Sequence, residues 1–180
     1  MDAPMTQVRI AHFSDTHVLS VRGATPSRFL NKRWTGAVNL ALNRARHYRV
    51  DIFERLLDAV VATQPDHALC TGDLVNLALQ SEFDKVRGLL EARFSQSELT
   101  IVPGNHDYYV REAIVAGLFE ESFGQYLPND LELQQATYPV TRALPGVFLL
   151  GLNTAVETPV FMANGRVDEQ QLNAMKAAFA

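Results

Sequence analysis

The sequence predicts a single α/β domain, because short β-rich runs alternate with helical patterns along most of its 180 residues. Strands are predicted for residues 8–13, 67–71 and 99–102, where apolar and β-branched side chains cluster. A chain of this length with 47% hydrophobic residues can form one complete core, but not two. We therefore take residues 1–180 as one domain.

Two helices are predicted between these strands. Apolar residues recur at helical spacing over 52–61, and Pro65 marks the exit from that helix. A second apolar stripe covers 83–94, and Ser81 with Asp84 resembles a capping box at its start. Between the first strand and the first helix, residues 20–50 are irregular and then basic. We interpret them as a loop and a solvated amphipathic helix rather than a partner-binding patch.

The C-terminal third combines helices with a hairpin. Residues 108–123 are predicted to be helical and amphipathic. Strands are predicted for 137–143 and 147–152, which flank the turn sequence Leu-Pro-Gly at 144–146. The last segment is predicted as a helix with Asp168 at its N-cap and Gln171 completing the capping box. Its predicted apolar face comprises Leu172, Met175 and Phe179.

Charge and cysteine usage limit the partners that we expect. A net charge of -4 and a pI near 5.7 give no basic surface for nucleic acid or for an anionic membrane. No apolar run reaches the ~18 residues of a membrane span, and the N-terminus lacks the pattern of a signal peptide. The single cysteine, Cys70, is predicted to be a buried, reduced thiol. We expect a cytoplasmic protein that acts on a small substrate.

Three polar motifs follow the three predicted strands: Asp15-x-His17, Gly72-Asp73 and Gly104-Asn105-His106-Asp107. Loops at the carboxyl ends of parallel strands meet at one edge of the sheet. Two carboxylates, an imidazole and an amide would converge there, a donor set that suits zinc, manganese or iron. A shared carboxylate would hold two such ions about 3.5 to 4 Å apart, and Asp73 is the candidate for that bridge.

The third motif carries most of the information. The composition of the chain gives about 0.3 chance matches to Asp-x-His, but roughly one in a thousand to Gly-Asn-His-Asp. Together with Gly72-Asp73-Leu74-Val75-Asn76, these motifs resemble those of the calcineurin-like metallophosphoesterases. The resemblance covers nearly the whole chain and implies a layered α-β-β-α sandwich. It also implies a phosphoester hydrolase that uses two divalent metal ions and a metal-bridging hydroxide, on a phosphomonoester, phosphodiester or diphosphate.

The resemblance assigns a role to each motif residue. It implies that Asp15 and His17 bind one metal, that Asp73 bridges both metals, and that Asn105 binds the other. It further implies that His106 faces the phosphate and assists the leaving oxygen without binding metal, and that Asp107 orients His106. Asn76 also fits the family pattern, without a definite role.

The sequence departs from the family pattern after the third motif. The resemblance implies one further metal-binding histidine and then a Gly-His-x-His segment, but no histidine follows His106. One metal would lack a histidine, and the other would keep only Asp73 and Asn105. Three interpretations remain: part of a longer enzyme, which we favour, a short form completed by a partner chain, or a non-catalytic interaction scaffold. A sheet edge left uncovered would favour self-association.

Overall fold

The central feature is a parallel three-stranded sheet, seen in a computed structural model that describes residues 7–20, 33, 50–133, 137–159 and 162–179. The strands are β1 (Ile10–Phe13), β2 (His67–Cys70) and β3 (Leu99–Ile101), in the order β1-β2-β3. β1 pairs with β2 and β2 with β3, both in parallel. The predicted α/β class is confirmed, and all three strands end at the same edge, as the motif argument requires.

Two helices connect these strands and form the core with them. Two ion pairs link helix α1 (Val50–Ala62) to helix α2 (Gln80–Glu91): Lys85 Nζ lies 3.8 Å from Glu54 Oε1, and Arg93 beyond the end of α2 pairs with Asp58 at 2.8 Å. The predicted apolar face of α2 is confirmed, but that of α1 only in part, because Ile52 and Val61 at its edges are 53% and 42% exposed. The core side chains that these two helices and the sheet bury are Phe53, Leu57, Phe83, Val86, Leu90, Phe13, Ala68, Cys70, Leu99 and Ile101.

The chain after β3 forms smaller elements. They are helix α3 (Arg111–Val115), helix α4 (Leu118–Phe123), a 3₁₀ turn (Gly124–Tyr126), strands β4 (Val140–Leu144) and β5 (Val147–Gly151), and helix α5 (Glu169–Ala178). β4 and β5 pair antiparallel in a separate two-stranded sheet, which confirms the predicted hairpin. Gly151 lies against β4 and against Val102 at the end of β3, because a Cβ at Gly151 would lie 2.7 Å from Val102 Cγ1.

The predicted capping box of α2 is wrong. Glu82, rather than Asp84, caps the helix, because its Oε2 accepts hydrogen bonds from the backbone N–H groups of Leu77 and Leu79. Ser81 lies inside the first turn, where its hydroxyl donates to the Ser20 carbonyl at 2.6 Å. The cap is therefore a fully buried carboxylate, which an N-cap pattern of small polar residues cannot reveal.

The helix predicted over 108–123 is interrupted. Residues 108–110 are not helical, and Gly117 separates α3 from α4 with a left-handed φ of 62°. A glycine in this conformation ends a helix by satisfying its last carbonyls, and the Gly117 N–H donates to the Ile114 carbonyl at 2.9 Å.

The predicted face of α5 is also wrong. The N-cap at Asp168 is confirmed, since its carboxylate accepts from the Gln171 N–H at 2.8 Å. The helix buries Gln171 and Ala174, whereas Leu172 is 37% and Phe179 76% exposed. The Gln171 amide bonds to the backbone N–H and C=O of Asn153, so a polar contact sets the orientation of this helix.

Two other predictions concern regions outside the sheet. The loop and basic helix predicted for 20–50 lie outside the described residues except for Ser20, Arg33 and Val50. Arg33 is not solvated, because its buried guanidinium donates to the carbonyls of Leu77 and Ala78 at 2.7 Å each. Among the described residues, no helix is long and apolar enough to cross a membrane.

Replacing Glu82 tests the buried cap. Burial raises the pKa of Glu82 from 4.5 to about 7, although backbone hydrogen bonds oppose that shift. A raised folded-state pKa contributes stability that is present below pH 4.5 and is lost as the pH rises through 7. As the pH rises from 5 to 8, wild type should therefore lose roughly 2 kcal/mol of free energy of unfolding that Glu82→Gln retains.

Urea unfolding at several pH values measures this difference. Asp84→Asn, on the exposed side of the same helix, is the control. Parallel pH profiles for wild type and Glu82→Gln would contradict a buried, perturbed carboxyl.

Candidate metal centre

Backbone pairing beyond β1 and β2 places the first motif beside the second. The Asp15 N–H donates to the Gly72 carbonyl at 3.0 Å, and the His17 N–H donates to the Asp73 carbonyl at 2.9 Å. The parallel pairing continues to a bridge between Val18 and the second motif. The two loops thus run together past the sheet, so the side chains of Asp15, His17 and Asp73 share one region.

Glycines allow the third motif to approach the same region. Gly72 has a φ of 89°, and a Cβ at this position would lie 2.0 Å from the Gly104 nitrogen. A Cβ at Gly104 would lie 2.2 Å from Asp73 Oδ1. Both distances are too short for a real Cβ atom, so any other residue would clash. These two glycines therefore permit the backbones of the second and third motifs to touch.

A buried carboxylate joins these two motifs. Asp107 is 1% exposed, and its oxygens accept hydrogen bonds from the N–H groups of Asp73, Leu74, Val75 and Gly104 at 2.8 to 3.1 Å. Burial raises the pKa of Asp107 to about 7, while the donated backbone hydrogen bonds favour the ionised form. Asp107 therefore organises the backbone of both motifs.

Potential metal-ligand atoms of His17, Asp73 and His106 lie within 4.8 Å of one another. His17 Nε2 is also 3.8 Å from Asp15 Oδ1 and 3.9 Å from Asp73 Oδ2. Ligand atoms about 2 Å from one ion lie within roughly 4 Å of each other, so this set fits a divalent metal. Burial, followed by the neighbouring His106, lowers the pKa of His17 below 6.5, which favours the neutral ring that binds metals.

The backbone at these positions is strained. Asp15, His17 and Asp73 have φ values of 56°, 44° and 53°, and they are three of the six non-glycine residues with positive φ among those described. Such a conformation costs on the order of 1 to 3 kcal/mol per residue and concentrates at functional sites. The rest of the fold maintains it here at three neighbouring candidate ligands.

His106 is held by contacts on several sides. Its N–H donates to Asp73 Oδ1 at 2.8 Å, and its Nδ1 is 2.7 Å from the Asn76 carbonyl oxygen. A carbonyl only accepts, so Nδ1 carries the proton and Nε2 remains for the site. The resemblance implied that Asp107 orients this ring. In the structure the His106 ring bonds to the backbone carbonyl of Asn76, and Asp107 bonds to the surrounding backbone N–H groups.

The remaining candidates differ in position. Asn105 is half-buried in the turn that holds His106, but the amide role predicted for it stays a prediction. His12 is exposed on β1 and bonds to Thr71 Oγ1, whereas His67 is buried and bonds to the Ser97 carbonyl and the Thr100 hydroxyl. The candidate metal cluster includes neither of them.

Comparison with known proteins identifies the family. The family model for calcineurin-like phosphoesterases matches residues 8–173. The chain belongs to this family. No curated protein matched the chain. The family consists of metal-dependent phosphoester hydrolases, and the cluster of His17, Asp73 and His106 is a possible metal site in this calcineurin-like phosphoesterase.

Two tyrosines after the third motif complete the surroundings of the site and were not predicted. Tyr108 donates to Glu120 and accepts from Asn153 Nδ2 at 3.1 Å, while the ring of Tyr109 stacks on His106. Burial, followed by the hydrogen bond to Glu120, raises the pKa of Tyr108. The only signal in the sequence was their position directly after Asp107, which does not specify a contact.

Substitution of Gly104 tests the close approach of the motifs. In this calcineurin-like phosphoesterase, Gly104→Ala should displace Asp73 and lower the free energy of unfolding by about 3 kcal/mol or more, because backbone and side-chain atoms occupy the Cβ position. Gly88→Ala is the matched control. Gly88 lies on the exposed side of α2 with nothing within 4 Å of its Cβ position, so alanine should stabilise by about 0.5 to 1 kcal/mol.

Thermal and urea unfolding give these stabilities, and calorimetric titration with Mn²⁺ gives the metal affinity. Gly104→Ala should lose both stability and affinity. Wild-type values for Gly104→Ala would show that the two loops do not touch as described.

Proposed function

We propose that this chain hydrolyses a phosphoester with two divalent metal ions held at the candidate metal centre, on a phosphomonoester, phosphodiester or diphosphate substrate. The observation that carries the proposal is the approach of His17 Nε2 to the carboxylates of Asp15 and Asp73, on strained backbone and beside His106. Membership of a family of metal-dependent phosphoester hydrolases gives the reaction class.

The donor set suggests how two ions would be divided. Asp15, His17 and Asp73 would hold one ion, and Asp73 with Asn105 would hold the other. Asp73 Oδ1 already accepts the His106 N–H while Oδ2 faces His17, so its two oxygens point to different neighbours. Bound ions would supply Lewis acidity that polarises the phosphoryl oxygens and lowers the pKa of a water molecule.

The chain's own contribution to the reaction is His106. Its Nδ1–H donates to the Asn76 carbonyl, so a second proton would reside on Nε2. That Nε2–H would be given to the departing oxygen, which needs a proton as its bond to phosphorus breaks. General-acid help of this kind contributes about 10² to 10⁴ in rate.

Asp73→Asn tests the proposed function. Neutralising the shared carboxylate should lower Mn²⁺ affinity and reduce hydrolysis of bis(4-nitrophenyl) phosphate by about 10² or more, because metal polarisation supplies several kcal/mol. Asp58→Asn is the control, since its carboxylate pairs with Arg93 on the helical layer. If the wild type neither binds metal nor turns over substrate at high Mn²⁺, that result contradicts the proposal and favours a non-catalytic scaffold.

His17 and His106 should separate metal binding from proton transfer. We expect His17→Asn to lower Mn²⁺ affinity and turnover together, and His106→Asn to lower turnover by about 10² or more while metal content remains near wild type. Metal analysis by mass spectrometry and steady-state kinetics measure the two effects, with His12→Asn as the control. Equal loss of metal from both variants would show that His106 is itself a metal ligand, as its distance to His17 and Asp73 allows.

A further inference from the structure

The orientation of His106 depends on more than one hydrogen bond. Its Nδ1 is anchored to the Asn76 carbonyl, but a ring held at one atom can still pivot about that bond. His17 meets the ring edge to face, with centroids 4.6 Å apart and planes at 81°. Tyr109 covers it in a nearly parallel stack, with centroids 5.3 Å apart and planes at 11°. Both distances lie in the range of favourable aromatic contacts.

Tyr109 is itself firmly placed. It lies immediately before Val110, which is 3% exposed, and two residues before helix α3. The Tyr109 side chain is partly buried and packs against the hydrophobic core. Its ring therefore connects the His106 ring to the hydrophobic core.

We propose that Tyr109 is a positioning residue that fixes the plane of the His106 ring, so that Nε2 faces the leaving oxygen. The inference has two halves. The structural half, that Tyr109 orients the His106 ring, is independent of the proposed function, whereas the catalytic half, that this orientation raises turnover, rests on it. Asn76 fixes one atom of the ring and Tyr109 fixes the plane, and the two contacts together leave Nε2 as the nitrogen that meets substrate. Tyr109 acts through His106 and does not touch the reacting atoms.

Nuclear magnetic resonance tests the structural half without metal or substrate. The five histidines give five sets of imidazole signals, and the His106 set is assigned by its disappearance in His106→Asn. The ring current of Tyr109 should shift the carbon-bound protons of His106. Tyr109→Leu should move these signals toward those of an exposed histidine, whereas Tyr109→Phe keeps the aromatic ring and should leave them near wild type.

Kinetics test the catalytic half. With added Mn²⁺, Tyr109→Leu should lower kcat about tenfold for a phenyl phosphodiester, whose leaving group needs a proton, and less for the 4-nitrophenyl analogue. KM and metal content should change by less than about twofold, and Tyr109→Phe should restore kcat. Adding Tyr109→Leu to His106→Asn should cause no further loss, because both act through one ring. Phe148→Leu, an exposed aromatic on β5, is the matched control.

The outcomes separate the inference from the proposed function. Unchanged His106 signals in Tyr109→Leu overturn the inference, as does an equal loss of kcat on both substrates accompanied by loss of metal. A wild type that does not hydrolyse either substrate overturns the proposed function. In that case the resonance comparison still decides whether Tyr109 orients His106.

Discussion

The site depends on the buried carboxylate of Asp107. An ionised group without partners could not remain in the interior, since its transfer from water costs many kcal/mol. Four backbone N–H groups compensate for that cost, three from the second motif and one from Gly104 in the third. Each of those amides would in turn be an unsatisfied buried donor without the carboxylate. Asp107 and the two loops therefore require each other, which makes the geometry of the site a single cooperative unit.

This arrangement explains how strained residues persist at the candidate metal centre. Asp73 receives its left-handed conformation between Gly72, whose lack of a Cβ admits the third motif, and the amides that bond to Asp107. Asp15 and His17 are held against that same segment by their N–H groups, which donate to the carbonyls of Gly72 and Asp73. The strain is offset by the hydrogen bonds to Asp107 and by the core in which α1 and α2 pack against the sheet.

The features of the fold that depend on local sequence patterns could be predicted from the sequence. The apolar face of α2 and the centre of that of α1 follow from periodicity, because burial of large side chains governs how those helices pack. The three motifs could be located because strand ends and short polar signatures are both local. The polar anchors could not be predicted. Glu82, Gln171 and Arg33 are charged or amide side chains that periodicity assigns to the surface, yet each is buried by bonds to backbone groups. Such partners are fixed only by the tertiary fold, and the sequence does not encode them at any regular spacing.

The chain after the third motif supports the site, although its described residues add nothing to the cluster of His17, Asp73 and His106. Tyr108 follows Asp107 directly, and its hydroxyl donates to Glu120 on α4 and accepts from Asn153 beyond β5. Asn153 is held in turn by Gln171 on α5. Burial raises the pKa of Tyr108, so its hydroxyl stays protonated and continues to donate to Glu120. Displacement of α5 or of the β4–β5 hairpin would therefore break or move the hydrogen bond to Tyr108, which is adjacent in sequence to Asp107. The C-terminal elements thus help to fix the backbone that presents His106 at the candidate metal centre.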